Sequence, residues 1–214
     1  MVAETSQTLD RGLRALQVLG ETTGGLTVTE LAAALGVNRT VTYRLVATLE
    51  CHALVRRDPR GRLHVGLGAL RLAASVHPAL REVGVPVLRD LAEAVGCTAH
   101  LTIAEGEEAL ALAVVEPTWT DFHVSYRVGA RHPLRQGAAG RAVLAGREPE
   151  GPPWVATYGE LQPGARGVAA AVRGVDGLEA SVGIVTLGEL EVDRVGPQVA
   201  AAAAQVARLL SGGA

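Results

Sequence analysis

Apolar residues recur at helical spacing along residues 26–50 and then give way to short alternating runs. Leu31 and Leu35 share one face of the segment Glu30–Leu35. Val41, Leu45 and Leu49 repeat along Arg39–Glu50. Thr29 is placed to cap the first of these helices, Gly36 to end it in the left-handed conformation, and Asn38 to cap the second. Leu54–Arg56 and Arg62–Val65 read as two short strands around the turn Asp58-Pro59-Arg60-Gly61. The order is helix, Gly turn, helix, then an arginine-flanked hairpin. It predicts a helix-turn-helix with a wing.

Ahead of this unit, residues 6–20 carry Leu9, Leu13, Leu16 and Leu19 on one predicted helical face. After it, residues 67–76 form a predicted connecting helix with Leu67, Leu70 and Leu72 apolar. His77-Pro78 marks a boundary, because proline disfavours helix at the preceding residue. The expected division is 1–66 for the winged unit, 67–77 for the linker helix and 78–214 for the remainder.

That remainder reads as a helix over Arg81–Val95, interrupted early by Pro86, then strands over Cys97–Ala104, Ala109–Val115 and Phe122–Val128. A short helix follows over Gly137–Gly146. Strands are expected over Trp154–Tyr158, Gly167–Arg173 and Ala180–Leu187, with Val175-Asp176-Gly177 as a hairpin signal. Val192–Leu210 closes the chain as a long helix. Helices flanking a mostly antiparallel sheet make this an α+β domain.

Charge divides along the same line. Residues 1–75 hold 9 Arg against 6 Asp and Glu, a net +3, whereas residues 76–214 hold 11 Arg against 16 Asp and Glu, a net −5. A basic part suited to phosphate is joined to an acidic part that avoids it. Every basic residue is Arg, which reflects base composition of the coding sequence and not function. Aromatics are 3%, too few for extensive base stacking. Cys51 and Cys97 form no paired motif, so neither a zinc site nor a disulfide framework is expected, and no cofactor is called for. The start of the chain lacks the basic and apolar regions of a signal peptide, and no apolar run is long enough to span a bilayer. A cytoplasmic protein without a membrane partner is expected.

The polar residues Arg39, Thr40, Thr42, Tyr43 and Arg44 occupy the first half of the second helix. A recognition helix presents side chains to the major groove there. Thr27, ahead of the first helix, and Arg57, Arg60 and Arg62 on the wing complete the set expected to contact DNA. Arginine takes guanine bidentately, and cations clustered on a small hairpin suit phosphate.

The chain resembles the IclR family of bacterial transcription regulators. The resemblance rests on Thr40–Glu50, the wing Val55–Arg62, Gly96–Leu101, Tyr126–Pro133, Gly140–Ala145 and Gly164–Arg173, in family order. It implies a winged helix-turn-helix joined to a GAF-like or profilin-like effector domain, with no catalytic residues. It further implies an inverted-repeat operator bound by a homodimer or homotetramer, and a small-molecule effector. The apolar faces of residues 9–19 and 67–76 are the expected dimer surface. One departure stands out: only Gly146–Pro153 spans a stretch where the family usually inserts a longer helical segment.

The resemblance places the effector between the sheet and the loop before the Gly140 helix. Backbone at Ala138 and residues Thr157, Gly167, Ile184 and Thr186 match family lining positions. Where several relatives have an acid, a Cys and a Ser, this chain has Thr157, Gly167 and Ile184, a neutral set. Gly137 and Gly140 would let backbone N–H groups approach a ligand, and the helix N-terminus there suits an anion. Thr157, Tyr158 and Thr186 would orient it, with Leu101, Val124 and Ile184 as apolar wall and Arg135 or His123 as a source of positive charge. Three alternatives remain open at this level. The effector domain can have lost its ligand and serve only assembly, Cys97 can carry thiol chemistry, or His100, His123 and His132 can bind a metal. For Cys97 and the histidines, a structural role is the simpler account.

Overall fold

A computed structural model of the chain describes residues 5–75, 77–120, 124 and 126–212. The chain divides into two compact units, residues 1–76 and residues 77–214.

The first unit packs three helices and a hairpin around one core. Helix α1 (Gln7–Glu21) starts at Ser6, whose hydroxyl accepts the Leu9 N–H. Its inward face is Gly12, Ala15 and Leu19. Leu9 and Leu13, expected on the same face, are exposed. Helix α2 (Val28–Leu35) is capped by Thr27 and not by Thr29. The Thr27 hydroxyl accepts the Glu30 N–H, and the Glu30 carboxylate accepts the Thr27 N–H at 2.7 Å, a reciprocal capping box. Gly36 ends α2 in the left-handed region, with φ of 65°. Helix α3 (Arg39–Cys51) begins at Asn38, whose side-chain oxygen accepts the Val41 N–H at 2.9 Å.

Leu31 and Leu35 of α2 meet Leu45, Val46 and Leu49 of α3, together with Ala15 and Leu19 of α1. The hairpin β1 (Val55–Arg57) and β2 (Leu63–Val65) pairs Val55 with Val65 and Arg57 with Leu63, and buries Val55 and Leu63 in the same core. Helix α4 (Gly68–Ala74) follows, with Leu67, Leu70 and Leu72 all exposed.

The second unit is a three-layer arrangement. Helix α5 runs over Pro78–Val95, starting earlier than Arg81 and continuing through Pro86. Strands β3 (Thr98–Glu105), β4 (Glu108–Val115), β5 (Arg131–Pro133), β6 (Val155–Tyr158), β7 (Arg166–Val172) and β8 (Ala180–Thr186) form one sheet. Its order is β5-β4-β3-β8-β7-β6, with every pairing antiparallel. Helix α6 (Gly137–Gly146) lies on one face of the sheet, and α5 with α7 (Val192–Leu210) covers the other.

One expectation for the sheet is corrected. Among the described residues the third strand is Arg131–Pro133. Within the expected strand Phe122–Val128, residues 122, 123 and 125 lie outside the described residues, and Val124, Tyr126, Arg127 and Val128 are not in a strand. Strand β3 does alternate, but both faces are buried. Ala99, Leu101 and Ile103 join the core against α5 and α7, while Thr98, His100 and Thr102 are buried on the α6 side. Layers on both faces leave a sheet no wet side, so its polar residues must find partners. Thr98 donates to the Val124 carbonyl at 2.7 Å, Ser181 donates to the Ala139 carbonyl at 3.0 Å, and the His100 ring Nδ1 is 3.2 Å from the Thr102 hydroxyl.

The shortened connection after α6 is fastened by arginines. Arg173 donates to the carbonyls of Ala145 and Glu148, and Arg147 holds the Glu179 carboxylate with two nitrogens.

Candidate functional site

In the first unit, α3 turns Arg39, Thr40, Tyr43 and Arg44 outward. The Arg39 guanidinium lies 6.0 Å from the centre of the Tyr43 ring, a cation–π contact that steadies both side chains. Thr42 departs from expectation: it is fully buried, and its hydroxyl donates to the Asn38 carbonyl at 3.2 Å. The buried stripe of α3 is Thr42, Leu45, Val46 and Leu49, with Val41 partly buried against the same core.

The wing arginines fall into two classes. Arg57 donates to the Glu50 carboxylate at 2.8 Å, so it braces the hairpin against α3. Arg62 donates to the Gly24 and Gly25 carbonyls and to the Glu30 carboxylate, fixing the wing to the loop before α2. Arg56 and Arg60 are exposed, and their guanidinium groups have no ion pair among the described residues. The turn between the strands is held by Asp58, whose carboxylate accepts the N–H groups of Arg60 and Arg62 at 2.9 and 2.8 Å. The Arg62 N–H, helped by His64, holds the Asp58 carboxyl below the usual carboxylate range. The capping bond from the Thr27 N–H does the same for Glu30. Thr27 remains half-exposed at the N-terminus of α2, with its hydroxyl committed to the cap.

The second unit holds a small cavity of about 60 Å³ between α6 and the sheet. Of the expected lining residues, Gly137, Ala138, Thr157, Gly167 and Ile184 border it. Ile184 is paired with Ala99 and Val168 and sends its side chain into the α5–α7 core, so only its backbone faces the cavity. Four expected residues are elsewhere. Leu101 is fully buried in the opposite core beside Gly84. Val124 contributes its carbonyl to Thr98 and does not line the cavity. Tyr158 is exposed beneath the Arg166 guanidinium, 5.1 Å from its ring centre, and Thr186 is also outside the lining.

His100, Tyr126, His132, Glu160 and Leu161 border the cavity and escaped sequence reasoning as lining. The His100 ring lies over Gly183, where a Cβ would come within 2.5 Å of it, and meets Tyr126 edge-on at 5.3 Å. Burial lowers the His100 pKa to about 4, so the ring is neutral at neutral pH. Gly137, with φ of 72°, gives its N–H to the Glu160 carboxylate at 2.9 Å. Gly140 has a packing role instead: a Cβ there would come within 2.5 Å of the Leu134 carbonyl oxygen. Arg135 is exposed, and His123 lies outside the described residues. Burial raises the pKa of the Cys97 thiol above its ordinary value.

The family model for the IclR helix-turn-helix domain matches residues 8–59, and that for the C-terminal part of bacterial transcriptional regulator IclR matches residues 73–151. The chain belongs to the IclR family. The transcriptional repressor AllR of Klebsiella pneumoniae is 32% identical over 142 residues, covering 65% of this chain and 52% of that protein. The transcriptional repressor IclR of Escherichia coli K12 is 28% identical over 143 residues, with 65% and 52% covered. The chain thus spans about half the length of the curated relatives it matches. An IclR homologue from Microbacterium hydrocarbonoxydans, solved in complex with 4-hydroxybenzoate, superimposes with a TM-score of 0.80 at 20% identity. That match covers 96% of this chain and 100% of the other, and shows a shared fold. Among the described residues no helix is long and apolar enough to cross a membrane. The IclR family is one of regulators and not of enzymes.

Proposed function

We propose that this chain is a sequence-specific, DNA-binding transcription regulator. Helix α3 enters the major groove, and the wing lies against the adjacent phosphates. The observation that carries this is the outward set Arg39, Thr40, Tyr43 and Arg44, displayed beside a braced hairpin with two uncommitted arginines, Arg56 and Arg60. Arg57 and Arg62 hold the hairpin in place, so its cations reach phosphate from a fixed geometry. The IclR relatives named as repressors support the same role.

One α3 reads only a few base pairs, so a marked genomic site needs a second copy and an inverted-repeat operator. Leu9 and Leu13 on α1, with Leu67, Leu70 and Leu72 at α4, are large apolar side chains exposed in the first unit. That surface supports homodimerisation there. Pairing of dimers into a homotetramer is the further assembly the family resemblance suggests.

The cavity between α6 and the sheet is the effector site. The homologue solved with 4-hydroxybenzoate supports a small-molecule role for this domain. A ligand that favours one state shifts DNA affinity by its differential affinity for the two states, typically about 1–3 kcal/mol.

Light scattering with selection of bound duplexes from a random pool tests the assembly and the DNA role together. A dimer or tetramer enriching an inverted repeat is expected. A monomer that still selects one specific sequence would refute the two-fold arrangement.

A further inference from the structure

The cavity in the second unit is unusual in what already occupies its polar end. Helix α6 begins at Gly137, and a helix N-terminus ordinarily favours a bound anion. Here the Gly137 N–H donates to Oε2 of Glu160 at 2.9 Å, and Oε1 of the same carboxylate is 3.0 Å from an Arg141 nitrogen. The chain has supplied its own anion. An incoming carboxylate would find the N–H used and a like charge beside it.

The opposite requirement comes from His132. This residue on β5 is only 8% exposed and lines the cavity. Its Nδ1 is 3.1 Å from the Pro133 carbonyl oxygen. A carbonyl can only accept, so Nδ1 carries a proton, and in the neutral ring Nε2 is then an acceptor. Nε2 is buried and has no hydrogen-bond partner among the described residues. A buried acceptor left unpaired is costly, and a ligand donor relieves it. The rest of the lining is mainly apolar, with Ala138, Ala139, Leu161 and Val185. At about 60 Å³ the space suits a molecule of a few heavy atoms.

We infer that the cavity selects a small uncharged molecule that donates a hydrogen bond to Nε2 of His132, such as a primary amide or an alcohol, and rejects carboxylates through Glu160. The inference rests on the cavity's being the regulator's effector site. It narrows the class of effector, since an anion is what the helix N-terminus alone would call for.

The test is a nuclear magnetic resonance titration of the full chain with propionamide and with propionate, which share a shape and differ in charge and donors. Propionamide is expected to bind at least tenfold more tightly. His132→Phe should abolish that binding while circular dichroism stays unchanged. Glu160→Gln, which keeps an acceptor for Gly137 but removes the charge, should raise propionate affinity at least tenfold, independently of whether the His132 variant folds. Equal binding of the two probes by the parent, no binding of either, or unchanged propionate affinity in Glu160→Gln would overturn the inference. Duplex DNA affinity measured on the same samples separates the two claims. Amide binding that leaves DNA affinity unchanged supports the selectivity of the cavity and removes its regulatory role.

Discussion

A guanidinium nitrogen of Arg62 stands 3.1 Å from the Glu30 carboxylate, which ties the wing to the first turn of α2. The same carboxylate closes the capping box with Thr27, so one acid serves both the helix start and the hairpin. Arg62 and Arg60 therefore belong to different physical classes although two positions apart. Arg62→Ala should lower the stability of the first unit by about 1–2 kcal/mol, from its lost bonds to the Gly24 and Gly25 carbonyls. Arg60→Ala should leave the melting curve unchanged and reduce the slope of log affinity against log salt by about one. Paired thermal melts and salt titrations of the two variants check this. A stable Arg62→Ala protein with only a salt-slope change would place Arg62 on phosphate instead.

The two units should respond to acid through different groups. Burial lowers the His100 pKa from 6.5 to about 4. Below pH 6.5 the unfolded chain takes a proton at this residue that the native chain refuses, so stability of the second unit falls as pH drops toward 4. The loss is on the order of a few kcal/mol. In the first unit, Glu30 and Asp58 have depressed folded-state values. Their stabilisation is present above the ordinary values of 4.5 and 3.8 and is lost as pH falls through the lower folded ones. Denaturant unfolding between pH 7 and pH 3, followed by amide exchange in each unit, should show the second unit weakening first. Should the second unit hold its stability through pH 5 while the first declines, His100 is not the controlling group.

Much of the fold is legible in local chemistry. Asn38 caps α3 and Gly36 ends α2 because both act on neighbours a few positions away. The α6 span and the turn between β7 and β8 follow from glycine placement and apolar runs in the same way. Thr27 is legible in the same way, since threonine followed three positions later by Glu30 is the spacing of a capping box. Thr29 stands closer to the apolar run but lacks an acid three positions on. What escaped were contacts with no periodic signal. Thr42 is buried because the inward face of α3 is wider than its Val41, Leu45 and Leu49 repeat, and a threonine can bury its hydroxyl on the carbonyl of a residue one turn back. Arg62 meets Glu30 from 32 positions away, and Glu160 meets Gly137 from 23. Strand β5 is a three-residue segment ending at Pro133, too short to show alternation.

Leu161 offers a way to close the cavity without disturbing the core. Its side chain borders the cavity yet is 47% exposed, whereas Ala138 is buried against Ala142 and Ala169 and would be overpacked by a large replacement. Leu161→Trp should leave the melting temperature and ligand-free DNA affinity near parental values, and reduce propionamide binding at least tenfold. Undiminished binding in that variant would move the ligand to another part of the domain.

The most direct measurement is a fluorescence anisotropy titration of an enriched duplex with the parent chain and with an Arg39→Ala/Arg44→Ala double variant, at several salt concentrations. Each arginine that pairs with guanine contributes about 1–3 kcal/mol of discrimination. The parent should bind its selected duplex with strong salt dependence. The double variant should lose at least tenfold in affinity and most of its preference for that duplex over a scrambled one, with an unchanged melting curve. A double variant that binds the duplex as tightly and as selectively as the parent would contradict the assignment of α3 as the reading helix.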